Sequence, residues 1–173
     1  KSWKSYLRHI VFVLEMSALS LFIIALARPQ SSSKNKEINV EGIDIVLAMD
    51  ISSSMLAADL KPDRLEASKA VASDFVKGRP NDRMGLIVFS GETFTQVPLT
   101  TDHGMMLNML QDMKCGMLED GTAIGDGLAS AVSRLKDSEA ISKVVILLTD
   151  GDNNAGSIDP NTAAEMAKLF GIR

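Results

Sequence analysis

A chain of 173 residues has room for one medium-sized domain and an appendage, and a hydrophobic content of 46% argues against disorder. The net charge of −4 is unevenly spread: residues 1 to 36 carry six Lys or Arg against Glu15 alone, and the remainder carries 12 basic against 21 acidic residues. So acidic a domain is repelled by nucleic acid and by anionic lipid, which disfavours both as partners of that part of the chain. Cys115 is the only cysteine, which rules out an intrachain disulfide and a thiolate metal cluster.

The first element in chain order is an apolar run from Ile10 to Ala27. As a helix it rises roughly 27 Å, close to the hydrocarbon thickness of a bilayer, and it is expected to span a membrane. A cleaved signal peptide, with Ala25-Leu26-Ala27 as the cleavage motif, and a buried soluble helix are the alternatives. Lys1, Lys4 and Arg8 precede the run, with Trp3 and Tyr6 at interface depth. By the positive-inside tendency residues 1–9 are cytoplasmic, 10–27 the span, and everything beyond Arg28 lies outside. Residues 28–40, which include Ser31-Ser32-Ser33-Lys34-Asn35-Lys36, read as a polar linker.

From residue 41 onward, strand and helix patterns alternate. Ile43 to Met49, Met84 to Phe89 and Val144 to Leu148 are nearly continuous apolar runs, as in strands buried on both faces of a parallel sheet. Leu65, Ala72, Phe75 and Val76 form one helical stripe, and Ile124, Leu128, Val132 and Leu135 another. Ser90-Gly91-Glu92 is a turn, so Thr93 to Val97 is expected as an antiparallel edge strand, where Pro98 is tolerated. Asp159-Pro160 marks a helix start and Gly171 its stop. The expected fold is α/β, a doubly wound, Rossmann-like and mostly parallel sheet with one antiparallel edge strand. Ligands bind such folds beyond the carboxyl ends of the strands.

Asp50 and Asp150 each end or follow an apolar strand and project from that carboxyl edge. Asp50-Ile51-Ser52-Ser53-Ser54 puts three side chains at alternate positions, and Gly121-Thr122-Ala123-Ile124-Gly125 opens the following helix. Three hydroxyls and two carboxylates suit a hard divalent cation that keeps some of its waters. Glu119 and Asp120 read as solvated loop residues, with an acidic rim beside the site as the alternative. Met106, Met109, Met113 and Met117 recur at helical spacing and are expected in the core. His103 is expected at the surface and Cys115 in packing or a loop.

The set Asp50, Ser52, Ser54, Thr122 and Asp150 resembles the metal-ion-dependent adhesion site of von Willebrand factor A-type domains. The resemblance implies that these five residues hold Mg²⁺ or Mn²⁺. The segments A-L-A-R-P-Q, P-D-R-L-E-A-S-K, D-R-M-G-L-I-V-F-S-G, Q-V-P-L-T-T-D and G-D-N-N-A-G extend it to the bacterial BatA/BatB aerotolerance-type membrane proteins, which are associated with MoxR-type ATPases. It implies a bacterial inner-membrane protein whose A domain, residues 41–173, faces the periplasm and is truncated before its last strands. Partners would be a protein that supplies an acidic side chain, other Bat-type membrane proteins and a MoxR-type ATPase.

Neutral hydroxyls leave a cation short of negative charge, so a partner's carboxylate completes its shell. That predicts metal-dependent protein recognition without catalysis. The alternatives are a structural membrane scaffold whose metal serves folding alone, and a Mg²⁺-dependent phosphatase-like enzyme. The phosphatase reading lacks a general acid two residues after Asp50, where Ser52 stands. A serine hydrolase would need a nucleophile elbow, and a nucleotide binder a glycine-rich or Walker loop; the sequence has neither.

Overall fold

The computed structural model describes residues 3–26, 42–151 and 153–173. The chain divides into two compact units, Lys1–Ile38 and Asn39–Arg173. In the first, Trp3–Leu26 form helix α1. Its large apolar side chains among the described residues, including Val11, Phe12, Leu14, Leu21 and Phe22, are exposed. Among the described residues, however, no helix is long and apolar enough to cross a membrane. The expected span takes in the side chains of residues 24, 25 and 27, which lie outside the described set. The linker expected over residues 28–40 also lies outside the described residues.

The second unit is a four-stranded sheet with helices on both faces. In chain order it comprises β1 (Asp44–Asp50), a 3₁₀ turn (Ser53–Leu56), α2 (Arg64–Lys77), β2 (Arg83–Phe89), β3 (Thr93–Thr100), α3 (His103–Asp112), α4 (Ile124–Leu135), β4 (Lys143–Leu148) and α5 (Pro160–Leu169). The strand order is β3-β2-β1-β4. β1 pairs in parallel with β2 and β4, whereas β2 and β3 are antiparallel. The period-two pleat sends alternate β1 side chains to opposite cores. Ile45, Leu47 and Met49 pack with Leu65, Ala72 and Val76 of α2 and with Met106 and Leu110 of α3. Val46 packs on the other face with Ala131, Val132 and Leu135 of α4 and Ala167 of α5.

Several expectations shift. The buried face of α4 is not the large-residue stripe that includes Ile124 and Leu128. It is carried by Gly125, Gly127, Ala129 and Ala131 together with Val132 and Leu135. Small residues are needed because the helix lies close to its neighbours: a Cβ on Gly127 would stand 2.8 Å from the Phe89 ring. β4 is half-buried rather than covered on both faces, because it is the outer strand beside β1. A parallel bridge between Lys143 and Ile172 begins to cover its free edge, with Arg173 N–H donating to the Lys143 carbonyl at 3.0 Å. β3 extends past Pro98, which falls where the register with β2 shifts, a position that asks for no ladder hydrogen bond from proline. Met106 and Met113 are fully buried and Met109 packs against them, but Met117 is 49% exposed.

The ends of α5 follow the sequence signals, and α2 has a cap that was not among them. The Asp63 carboxylate accepts from Glu66 N–H at the start of α2, and Asp159 accepts from Asn161 N–H at the start of α5. Gly171 takes φ +65° just after α5, a backbone conformation that glycine adopts without a Cβ clash.

Candidate metal centre

β2 and β4 flank β1 on opposite sides, so the chain reverses direction around β1, and the crevice of the doubly wound sheet opens at the β1/β4 edge. Asp50, the last residue of β1, and Asp150, two residues beyond β4, both stand there. Asp50 is fully buried. Its Oδ1 accepts from Ser52 N–H at 2.9 Å and its Oδ2 from the Thr149 hydroxyl at 2.6 Å. Two neutral donors thus fix the carboxylate's orientation.

From there an oxygen chain crosses the crevice. Ser52 Oγ and Ser54 Oγ are 2.9 Å apart, and Ser54 Oγ donates to Asp150 Oδ1 at 3.1 Å. Adjacent ligands around an octahedral Mg²⁺, each at about 2.1 Å from the ion, stand about 3.0 Å apart. The two spacings, Ser52 to Ser54 and Ser54 to Asp150, are those of hydrogen bonds and match the separation of neighbouring ligands on such an ion. Among the described residues no three His, Cys, Asp or Glu side chains converge to hold a metal. Here most of the donors are hydroxyls.

Thr122 arrives from the loop before α4 and is buried, with 4% of its surface exposed. A Cβ on Gly151 would lie 3.7 Å from Thr122 Oγ1, so its hydroxyl adjoins the residue after Asp150. Its peptide is clamped to that same loop. Thr122 N–H donates to Asn154 Oδ1 at 2.8 Å, and the Thr122 carbonyl accepts from Asn154 N–H at 3.1 Å. All five expected site residues thus gather at one edge: four are joined by hydrogen bonds, and the fifth, Thr122, which carries the third hydroxyl, is held by the Asn154 clamp.

Besides Asn154, four contributors were not among the expected site residues. Thr149, in L-L-T-D-G, orients Asp50. Arg64, in P-D-R-L-E-A-S-K, donates from Nη1 to Asp150 Oδ2 and forms two 2.7 Å hydrogen bonds to Asp59. Asn153 Oδ1 accepts from Gly125 N–H at 3.3 Å, beside the Asn154 clamp. Asp120, an exposed loop acid as expected, also clasps the serine loop: its carboxylate accepts from Ser53 N–H at 3.1 Å and from Ser53 Oγ at 2.8 Å. Those two Ser53 bonds hold the Asp120 carboxyl below the usual carboxylate range.

Charge is arranged unevenly around the crevice. The carboxylates of Asp59, first, and Asp150 push the Arg64 guanidinium above its already high range, so it is a permanent positive charge. Arg64 in turn lowers Asp59. Cys115 lies half-buried beneath the serine loop, its thiol 3.3 Å from the Ser52 carbonyl. Burial, and then the nearby Asp63, Asp50 and Asp120 carboxylates, push that thiol up. His103 is half-buried rather than at the surface, with Nε2 2.9 Å from the Asp82 carbonyl, away from the site residues.

Comparisons with known proteins agree with this fold. The sequence matches the von Willebrand factor type A domain over residues 45–153. It is 37% identical to an uncharacterized protein of Borreliella burgdorferi over 90% of this chain and 46% of that protein. The chain spans about half the length of the curated relatives it matches. Among solved structures, an aerotolerance-related membrane protein of Bacteroides fragilis aligns with a TM-score of 0.71 at 36% identity, covering 76% of this chain and 65% of that one. BatB of Bacteroides thetaiotaomicron aligns at 0.68 and 37%, covering 76% and 64%. Proximal thread matrix protein 1 of the mussel byssus, with a zinc-occupied adhesion-site motif, aligns at 0.67 and 27%, covering 76% and 34%. The chain belongs to the von Willebrand factor type A domain family, and its structural neighbours include BatB and aerotolerance-related proteins.

Proposed function

We propose that this chain is a metal-dependent protein-recognition module of a membrane-anchored bacterial assembly. Asp50, Ser52, Ser54, Thr122 and Asp150 hold Mg²⁺ or Mn²⁺ at the β1/β4 crevice. The observation that carries the reading is the run of Ser52, Ser54 and Asp150 oxygens at 2.9 and 3.1 Å, the spacing of neighbouring ligands on such an ion. The zinc-occupied motif of the byssus neighbour supports a divalent cation at this place in the fold.

The ion supplies Lewis acidity toward one more oxygen. Ser52, Ser54 and Thr122 contribute no charge, and Asp50 and Asp150 supply the negative charge behind them. An acidic side chain of a partner protein fits the remaining demand, so the site recognises and does not catalyse. The set holds no general acid beside Asp50, since Ser52 stands where a phosphatase-like mechanism needs one. The apolar run Ile10 to Ala27, with Lys1, Lys4 and Arg8 before it, supports an inner-membrane anchor and a periplasmic A domain. Other Bat-type proteins and a MoxR-type ATPase are the proposed company, on the strength of the Bat-type neighbours.

Capture of the partner from solubilised membranes tests the reading. The chain should retain its partner in Mg²⁺ and release it in EDTA, and the Ser52→Ala/Ser54→Ala double variant, which keeps net charge, should fail in both. Equal capture by the double variant in EDTA and in Mg²⁺ would leave a scaffold that works through another face. A reporter active only outside the cytoplasm, fused after Arg173, should be active; an inactive one, with an active cytoplasmic reporter at the same junction, reverses the orientation.

A further inference from the structure

The two acids at the crevice are neutralised differently. The hydrogen bonds to Asp50 come from neutral donors, Ser52 N–H and Thr149 Oγ1. Asp150 takes one neutral donor, Ser54 Oγ, on Oδ1 and the Arg64 guanidinium on Oδ2. Arg64 opens α2, and its side chain is 30% exposed while the Asp150 side chain is 14% exposed. The same guanidinium also grips Asp59 through Nε and Nη2, each at 2.7 Å, and the Asp59 side chain is 56% exposed.

We propose that Arg64 is a resident cation that competes with the divalent ion for Asp150, so that the site exchanges an arginine-closed form for a metal-loaded one. This inference rests on the metal-site reading above. With Arg64 engaged, the pair Asp50 and Asp150 presents one net negative charge to an arriving dication instead of two, and a guanidinium adds like-charge repulsion. Arg64 is not stranded when it lets go. Asp59 already accepts two of its N–H groups in the planar, forked geometry that suits a guanidinium, so the exit from Asp150 leaves the charge paired. Linkage makes the effect reciprocal: whatever Arg64 subtracts from metal affinity, the metal subtracts from the Arg64–Asp150 contact. Arg64 therefore sets the threshold cation concentration at which the recognition site opens.

Mn²⁺ titration calorimetry of the whole chain tests this, with the melting temperature confirming that each variant is folded. Arg64→Gln keeps a good helix former at the start of α2 and should bind Mn²⁺ roughly tenfold tighter than wild type, within the usual range for coupled sites. Asp59→Asn removes the alternative acceptor and should weaken binding, but in the Arg64→Gln background it should have little effect. Binding by wild type that Arg64→Gln leaves unchanged or weakens would overturn the competition alone, because Arg64 would then merely orient Asp150. Absence of binding in wild type and in Arg64→Gln would overturn both the competition and the metal-site reading.

Discussion

The Thr149 hydroxyl reaches across from the end of β4 to donate to Asp50 Oδ2 at the end of β1, at 2.6 Å. Asp50 is fully buried, so a lost donor there is not replaced by water. Thr149→Val keeps the branched shape and removes the bond. It should lower stability by about 1–2 kcal/mol in urea denaturation, and it should weaken Mn²⁺ binding by loosening the orientation of Asp50. Thr149→Ser should restore most of both. Equal stability of Thr149→Val and wild type would mean that the hydroxyl is dispensable.

The five-residue set makes unequal demands on its members. Asp50 is buried and anchors the oxygen chain through the Ser52 backbone, so Asp50→Ala should abolish Mn²⁺ binding measured by calorimetry. Thr122→Ala removes one neutral hydroxyl while the Asn154 clamp, which grips the backbone, remains. It should weaken binding without abolishing it. Undiminished affinity in Asp50→Ala would remove the site assignment.

Much of this edge was legible in the sequence, because strand ends and loop spacing are local properties. An apolar run that stops at Asp50, and D-x-S-x-S after it, place three side chains without knowledge of tertiary contacts. Arg64 and Thr149 were not legible on that basis. Only the fold brings Arg64, in the first turn of α2, to Asp150, 86 positions away. Asp120 is the exposed loop acid expected, but its hold on Ser53 was not legible for the same reason, since that partner lies 67 positions earlier. Of the α4 contact face only Val132 and Leu135 were legible, because hydrophobic periodicity weights large side chains and the other close-packing residues are glycine and alanine.

That close packing has a direct consequence for substitution. A Cβ on Gly125 would lie 1.8 Å from the Ile158 carbonyl oxygen, a backbone atom that moves only if the loop before α5 moves. On Gly127 it would meet the Phe89 ring at 2.8 Å. Alanine otherwise favours a helix by up to about 1 kcal/mol, so packing and propensity oppose each other here. The clashes should win. Gly127→Ala should destabilise by about 1–3 kcal/mol, and Gly125→Ala by more, read as lower urea midpoints. A rise in midpoint for either would mean that α4 stands farther from its neighbours.

Cys115 offers a chemical probe of the same neighbourhood. Only the thiolate reacts with iodoacetamide, and burial, followed by the Asp63, Asp50 and Asp120 carboxylates, raises the Cys115 pKa. A raised pKa means less thiolate at neutral pH than an ordinary cysteine has, so alkylation at pH 7.5 should be slower than that of the unfolded chain. As pH rises through the ordinary cysteine range the folded protein should lag, and its rate should continue to climb where the unfolded chain's has levelled. Asp63→Asn removes one of the charges that raise the pKa and should speed the reaction at pH 7.5, provided the weaker N-cap leaves α2 folded by circular dichroism. Equal rates in the folded and unfolded protein at pH 7.5 would mean that the thiol is fully solvated, contrary to its place against the Ser52 carbonyl.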